Sequence, residues 1–177
     1  RDQFENASAV MATFKLSTVA PGDQTAFSNM PVASVTKQGD GTKLYHFAET
    51  PKMSSYLLFL GMGDVERKTV MAGKTEIGVI TRRGVVDQGD YALESAKRLL
   101  TYYNDYFGQP YPLPKLDMIA GPGSSQFFGA MENWGAVFYF EPELLYDKKR
   151  ATQSGKQRIY TVVAHEMAHQ WFGDLVT

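Results

Sequence analysis

The stretch from Val163 to Gly173 reads Val-Ala-His-Glu-Met-Ala-His-Gln-Trp-Phe-Gly and holds two of the three histidines of the chain. Residues four apart lie on one face of an α-helix, so a helix here would direct His165 and His169 to one point. Two neutral imidazoles suit Zn²⁺, which binds His nitrogen at about 2.0–2.1 Å. Glu166 follows the first histidine, where it could take a proton from a metal-bound water. The pattern His-Glu-x-x-His therefore predicts a helix that binds zinc through its two histidines and carries a glutamate that acts on a metal-bound water. The alternative is a helix with two surface histidines beside a solvated glutamate.

The overall composition is that of an ordinary globular protein, with 177 residues of which 44% are hydrophobic and 21% charged. This length allows one large domain or two small ones. The net charge of −1 argues against a nucleic-acid surface or a polybasic membrane patch. The absence of cysteine excludes disulfides, thiolate metal sites and cysteine nucleophiles. No apolar run approaches the roughly 20 residues of a membrane helix, so no membrane segment is expected in this chain. The compartment stays open.

The chain up to about residue 84 alternates short strand patterns with turn residues. Alternating apolar residues predict a half-buried strand over 10–18, and two further strands, 30–36 and 43–48, flank a hairpin signal at 38–41. The apolar run 53–60 predicts a central strand, and a shorter strand is predicted over 76–81. Strands and turns without intervening helices favour a β-sandwich or a saddle-like sheet.

Helices join the strands after residue 85. Asp90 can cap a helix that Gly108 ends, and a buried strand is predicted over 116–120. Residues 127–140 predict an aromatic-rich extended segment, and 141–154 a loop with one helical turn. The histidine helix should then run from about 155 to 172, with Gly173 as its C-cap. The predicted fold class is therefore α+β, with one unit over residues 1–84 and a second over 85–177.

A second unusual stretch, Gly129-Ala130-Met131-Glu132-Asn133, precedes the histidine motif. Glycine inside an extended segment often marks the close approach of a ligand or of another backbone. On this interpretation Glu132 faces a cleft and pairs with a cation, while the backbone of the segment bonds an extended substrate like an added strand. The alternative is a glutamate on an edge strand that only discourages aggregation.

Together the two motifs resemble those of the M1 family of zinc aminopeptidases, gluzincins of the aminopeptidase N type. Segments 28–31, 51–57 and 106–112 add to a resemblance that covers essentially the whole chain. It implies the C-terminal part of an N-terminal β-sandwich or saddle domain over 1–84, followed by the start of a thermolysin-like zinc metallopeptidase domain over 85–177. It also implies one Zn²⁺ per complete site and substrates that are peptides with a free N-terminus.

The resemblance gives each motif residue a role. His165 and His169 would be zinc ligands, and Glu166 would be the general base. The segment Gly129–Asn133 would bind substrate, with Glu132 on the free α-amine. A carboxylate facing an ammonium in a closed cleft selects a peptide end over an internal segment.

Two further parts of the family's site, a third zinc ligand on the next helix and a tyrosine that stabilises the tetrahedral intermediate, would follow Thr177. We therefore expect the chain to be part of a longer zinc aminopeptidase. We also expect the isolated 177-residue chain to be inactive or nearly so, since a catalytic zinc normally has three protein ligands.

Three other functions are compatible with the sequence. A thermolysin-type endopeptidase shares the histidine motif but lacks an amine-binding segment. A bifunctional enzyme of the leukotriene A4 hydrolase type has a similar pair of motifs, although Met131 fits the general aminopeptidases better. A non-catalytic β-rich module would keep the histidine motif only as a relic, and the intact Glu166 argues against that alternative.

Overall fold

The computed structural model of the chain describes residues 11–126, 128–149 and 152–176. The strands within these ranges are β1 (Met11–Ala12), β2 (Ser17–Ala20), β3 (Thr25–Ser28), β4 (Val32–Lys37), β5 (Lys43–Phe47), β6 (Met53–Ser54), β7 (Leu60–Gly63), β8 (Val65–Ala72), β9 (Thr75–Arg82), β10 (Lys115–Gly121), β11 (Ala130–Met131) and β12 (Ala136–Phe140). The α-helices are α1 (Asp90–Phe107), α2 (Glu141–Leu144) and α3 (Gln153–His169), and two short 3₁₀ turns span Ser55–Leu57 and Val86–Gly89. This mixture of helix and sheet confirms the predicted class at the level of α+β.

The first seven strands form three small antiparallel groups, β1 with β6, β2-β5-β4, and β3 with β7. The predicted hairpin at 38–41 is confirmed, because β4 and β5 pair around it. The predicted strand 10–18 is interrupted between β1 and β2, and its residue 10 lies outside the described residues.

The predicted central strand over 53–60 is wrong. The segment is β6, then the 3₁₀ turn Ser55–Leu57, and then the start of β7. Met53 and Ser54 are both buried, Ser55 and Tyr56 are both exposed, and Leu57 is buried again at 1% exposure. A continuous strand would alternate its side chains between two faces at every residue.

A five-stranded mixed sheet forms the centre of the molecule, in the order β11-β12-β10-β9-β8. Strand β10 runs parallel to β9 and β12, while β8 and β11 lie antiparallel at the two edges. Strand β8 is an element that the sequence interpretation missed. The sheet crosses the predicted boundary at residue 84, since β9 lies before it and β10 after it. The division into 1–84 and 85–177 therefore remains a prediction.

Helices α1 and α3 pack against each other, and α1 also covers β8 and β9. Helix α1 ends as predicted, because Gly108 adopts a φ of +63°. Asp90 does not cap it but forms an ion pair with Lys68 at 2.6 Å. The core between the helices and the sheet contains fully or almost fully buried apolar side chains from every layer: Ile77, Val79, Leu93, Leu100, Leu116, Met118, Val137, Ile159, Val163 and Met167.

Helix α3 begins at a side-chain cap and ends earlier than predicted. The Thr152 hydroxyl accepts a hydrogen bond from the Gly155 N–H at 3.1 Å. The helix ends at His169 and its C-cap is Gln170, so the predicted C-cap at Gly173 is wrong. Gly173 instead lies in a compact turn with a φ of +118°, where its N–H bonds the Val176 carbonyl. Among the described residues, no helix is long and apolar enough to cross a membrane.

Candidate active site

The two motif histidines converge at the C-terminal end of α3. Their Nε2 atoms lie 3.1 Å apart. Two nitrogens that are each about 2.05 Å from one ion at a tetrahedral angle stand about 3.3 Å apart, so the pair has the separation that a shared metal ion requires. His169 is further oriented by its Nδ1, which is 2.9 Å from the Phe172 carbonyl oxygen. Because a carbonyl only accepts, Nδ1 carries the proton and Nε2 presents its lone pair.

The donor chemistry of this pair fits zinc, which binds neutral imidazole. The number of ligands, however, is smaller than a catalytic zinc requires. Among residues 11–126, 128–149 and 152–176, no group of three or more His, Cys, Asp or Glu side chains is placed to hold a metal ion. The described part of the chain therefore offers two ligands of the three that a catalytic zinc normally takes from protein.

Glu166 lies on the inner side of α3 and is only 6% exposed. Burial, and after it the charge of Glu132, raises the pKa of Glu166 to about 7, while His169 acts in the opposite direction. The same carboxyl lies near Tyr139, whose pKa is well above its usual value because of burial first and the Glu166 charge second. The Tyr139 hydroxyl is buried and has no hydrogen-bond partner among the described residues. Glu166 thus stands in a weakly solvated position beside the histidines.

The predicted extended segment 127–140 is two strands with a turn between them. Residue 127 lies outside the described residues, β11 pairs with β12, and the Phe140 N–H bonds the Gly129 carbonyl at 3.0 Å. Residues 132–135 leave the sheet between the two strands. The Asn133 side chain donates to the Leu57 carbonyl at 3.3 Å and so ties this turn to the N-terminal strands.

Both motifs line one open cleft of about 410 Å³. Glu132 comes from the turn after β11, and His165 and Glu166 come from α3. The remaining lining residues are Phe128, Gly129, Ala130, Arg158, Thr161 and Val162. Of the predicted substrate-binding segment, Gly129, Ala130 and Glu132 therefore lie in the cleft lining. Met131 and Asn133 are absent from that lining, and Asn133 is buried.

The arginine in the cleft is already engaged. Arg158 forms two hydrogen bonds with the Glu143 carboxylate, at 2.7 and 2.8 Å. The same carboxylate stands behind Gly129, where an added Cβ would be 3.1 Å from the Glu143 Cγ. The carboxylates of Glu132 and Glu166 therefore dominate the charge of the cleft, which suits cationic groups.

Gln170 is a site residue that the sequence interpretation missed. Its side chain is fully buried, and its two amide atoms bond the backbone of the turn between β11 and β12, at Gly135 and Glu132. Its position directly after the second histidine was the only hint of a role in the site. The sequence does not indicate which groups a glutamine side chain on a helix will bond.

Asp174 was also missed as part of this group of charges. It is 1% exposed, and one of its oxygens accepts from Gln170 Nε2 at 2.9 Å. Its other oxygen, Oδ1, has no partner among the described residues. Burial, followed by the charges of Glu132 and Glu166, raises the pKa of Asp174 to about 9.

Known proteins match the chain over most of its length. Residues 91–177 match the family model described as "Peptidase family M1 domain", and residues 8–57 match that of the "Peptidase M1 N-terminal domain". Over 169 residues the chain is 48% identical to aminopeptidase N of Acetobacter pasteurianus, an alignment that covers 96% of the chain and 47% of that protein.

Relatives from other kingdoms are similar over the same region. The chain is 48% identical over 169 residues to probable aminopeptidase 2 of Sulfurisphaera tokodaii, covering 96% of the chain and 21% of that protein. It is 44% identical over 171 residues to aminopeptidase M1 of Arabidopsis thaliana, covering 96% of the chain and 19% of that protein. The chain thus spans about half of the bacterial relative and about a fifth of the other two.

Proposed function

This chain belongs to peptidase family M1, and from that membership we propose that the protein containing it is a zinc-dependent aminopeptidase, which removes residues from the N-terminus of peptides. One observation carries the proposal. Glu132 lies in the same cleft as His165 and Glu166, so a cation-binding carboxylate and one histidine of the metal-binding pair face one substrate space. His169 is not in the lining, but its Nε2 lies 3.1 Å from that of His165. The names of the relatives, all aminopeptidases, support the same activity.

His165 and His169 would hold the zinc ion through the two Nε2 atoms that converge at 3.1 Å. When bound, zinc polarises a substrate carbonyl and lowers the pKa of water towards about 7. The hydrogen bond from His169 Nδ1 to the Phe172 carbonyl keeps the second ring in its ligating orientation. We propose that the third protein ligand comes from outside residues 1–177.

Glu166 would serve as the general base of the reaction. Its carboxyl follows the first zinc ligand and is shielded from bulk water. In that position it would accept a proton from the attacking water and pass it to the leaving amine. A well-placed general base contributes about 10²–10⁴ to a rate.

Glu132 would bind the free α-ammonium of the substrate. Its neighbours Gly129 and Ala130 line the same side of the cleft and have little side chain of their own, which leaves room for an extended peptide. A charge-assisted hydrogen bond is worth roughly 1.5–3 kcal/mol, which corresponds to a preference of about 10–150-fold. An endopeptidase would gain nothing from such a group.

The test is cleavage of two matched peptides by the complete protein, one with a free N-terminus and one N-acetylated. We expect kcat/KM for the free peptide to be at least about 10-fold higher, and Glu132→Gln to remove most of this preference. The exposed Glu94→Gln on α1 is the matched control and should keep it. Equal cleavage of both peptides by the wild-type protein would instead favour an endopeptidase, and no cleavage of either would favour the non-catalytic module.

A further inference from the structure

We propose that Gln170 is a positioning residue, whose side-chain amide joins the histidine helix to the amine-binding turn and fixes Glu132 relative to His165 and His169. The inference rests on the proposed function, because it concerns the geometry of that same site. Its basis is a set of contacts that involves neither the zinc ion nor the substrate.

The amide of Gln170 uses its full hydrogen-bonding capacity. Its Nε2 donates to the Glu132 carbonyl at 3.1 Å and to Asp174 Oδ2 at 2.9 Å. Its Oε1 accepts from the Gly135 N–H at 3.0 Å and from the Tyr111 hydroxyl at 3.1 Å. A side-chain amide has two N–H donors and two acceptor lone pairs, so all four are engaged.

Two of these four bonds hold the two ends of one turn. Residues 132–135 lie outside the sheet, because β11 ends at Met131 and β12 begins at Ala136. Gln170 bonds the first residue of this turn through its carbonyl and the last residue through its N–H. The side chain that should contact the substrate amine therefore projects from a backbone position that Gln170 determines.

The other end of this connection is the metal helix. Gln170 is the C-cap of α3 and follows His169 directly. Helix geometry therefore fixes the position of Gln170 relative to the histidines. The hydrogen bond from its amide to the Glu132 carbonyl then fixes the backbone of Glu132 relative to the same helix. A peptide that binds through its ammonium and its first carbonyl needs the two sites at a set separation, and a displacement of about 1 Å can reduce a rate by 10²-fold.

The chemistry of the position explains the residue type. Gln170 is 0% exposed, so any partner left without a bond would be buried and unsatisfied. Methionine has a similar length and volume but neither donor nor acceptor of useful strength. Asparagine keeps the amide but is shorter by one methylene group, so it cannot reach both ends of the turn from the same helix.

The experiment measures how much a free amine adds to affinity in the complete, zinc-containing protein. Two inhibitors are compared, an amino acid hydroxamate and its analogue without the amine, and the ratio of their inhibition constants is the amine advantage. We expect Gln170→Met and Gln170→Asn to reduce this ratio at least tenfold. Zinc content and the affinity for the analogue should remain close to wild type, because His165, Glu166 and His169 are unchanged.

The control separates positioning from a general loss of stability. Ile77→Ala removes a fully buried side chain in β9, away from the lining of the cleft, and should lower stability while keeping the amine advantage. The inference is overturned if either folded Gln170 variant keeps the wild-type ratio, or if Ile77→Ala loses as much of it. A wild-type protein without any amine advantage would overturn the proposed function itself, and with it this inference.

Discussion

At the scale of single residues, the site is a cluster of three carboxyl groups that share little solvent. Glu132 and Glu166 line the cleft, and Asp174 lies behind them with less than 2% of its surface exposed. Burial, and after it the charge of Glu132, raises the pKa of both other groups, and Glu166 adds to the effect on Asp174. Protonation or nearby positive charge relieves the repulsion in such a cluster, and a zinc ion and a substrate ammonium would supply positive charge.

The first residue-scale prediction concerns Glu166→Gln. The change keeps the size of the side chain but removes its ability to take a proton, so we expect kcat of the complete protein to fall by about 10²–10⁴. Zinc content should remain at the wild-type level, since the histidines are untouched. Steady-state kinetics with metal analysis on the same sample checks this, and a variant with near wild-type kcat would rule out Glu166 as the base.

The second residue-scale prediction concerns Asp174 and pH. Folding raises the pKa of Asp174 from 3.8 to about 9, so between these values the folded state holds a proton that the unfolded state has released. The free energy of unfolding therefore falls as pH rises through this window. Asparagine is neutral in both states. Asp174→Asn should thus be increasingly more stable than wild type from about pH 4 to pH 9, by at most about 1.4 kcal/mol per pH unit.

Denaturant unfolding of both proteins in metal-free buffer, at pH 5 and pH 8, measures this difference. A stability gap between Asp174→Asn and wild type that is the same at both pH values would contradict the burial-driven shift. The two side chains have the same shape, so a packing difference would not produce the pH dependence.

At the scale of elements, the site is made by the C-terminal end of α3 and the turn between β11 and β12. The turn depends on Gly135, which has a φ of +78° and sits against the N-terminal strands. A Cβ there would be 2.6 Å from the Asn29 carbonyl oxygen and 2.8 Å from Leu113 Cδ1. Glycine is therefore required at this position for both conformation and space.

The element-scale prediction compares two glycine substitutions. Gly135→Ala should lower the free energy of unfolding by about 2–4 kcal/mol, through the left-handed backbone and the two close contacts. Gly155→Ala, in the first turn of α3, should raise it by about 0.5–1 kcal/mol, because its Cβ would meet only Thr152 Oγ1 at 3.4 Å. Denaturant unfolding of both variants tests the pair. Equal effects would show that the turn accommodates a side chain.

Sequence patterns correctly predicted those helices and strands that are determined by neighbouring residues in the chain. Helix α1 with its glycine end, strand β10 and the hairpin of β4 with β5 follow from periodicity and turn residues alone. The segment 53–60 was mistaken for a strand because an apolar run has no periodicity that distinguishes a strand from a helical turn. The four bonds of Gln170 join residues up to 59 positions apart, which no local pattern indicates. The motif residues could be named from sequence, but the side chain that connects them could not.

At the scale of the whole molecule, buried polar side chains join the N-terminal strands to the turn between β11 and β12. Asn29 is 0% exposed, donates to the carbonyls of Leu57 and Trp134 at 2.8 and 2.9 Å, and accepts from the Phe59 N–H at 2.8 Å. Lys115 donates to the carbonyls of Ser28 and Gly135 and pairs with Asp117. The N-terminal strands thus support the turn that carries Glu132.

The whole-molecule prediction concerns Asn29→Ala. The substitution removes a hydrogen bond from the Trp134 carbonyl, from the Phe59 N–H and from the Leu57 carbonyl, which keeps only the Asn133 amide at 3.3 Å. A buried group left without a partner costs about 1–3 kcal/mol. We expect a loss of about 3 kcal/mol or more in the free energy of unfolding, measured by denaturant titration. Asn104→Ala is the matched control, since Asn104 Oδ1 accepts one bond, from the Tyr111 N–H. A loss no larger than that of the control would mean that the hydrogen bonds of Asn29 contribute little to stability.

The most direct test of the account is the zinc content of the complete protein and of its His165→Ala variant, beside His46→Ala as a control. His46 lies on β5, where it bonds Ser17, and is unrelated to the cleft. We predict about one zinc per molecule in the wild-type protein and in His46→Ala, and almost none in His165→Ala, because a catalytic zinc normally needs three protein ligands. The same requirement predicts weak zinc binding and little activity for the isolated 177-residue chain. Full zinc occupancy in His165→Ala would contradict the central claim that this helix holds the catalytic metal.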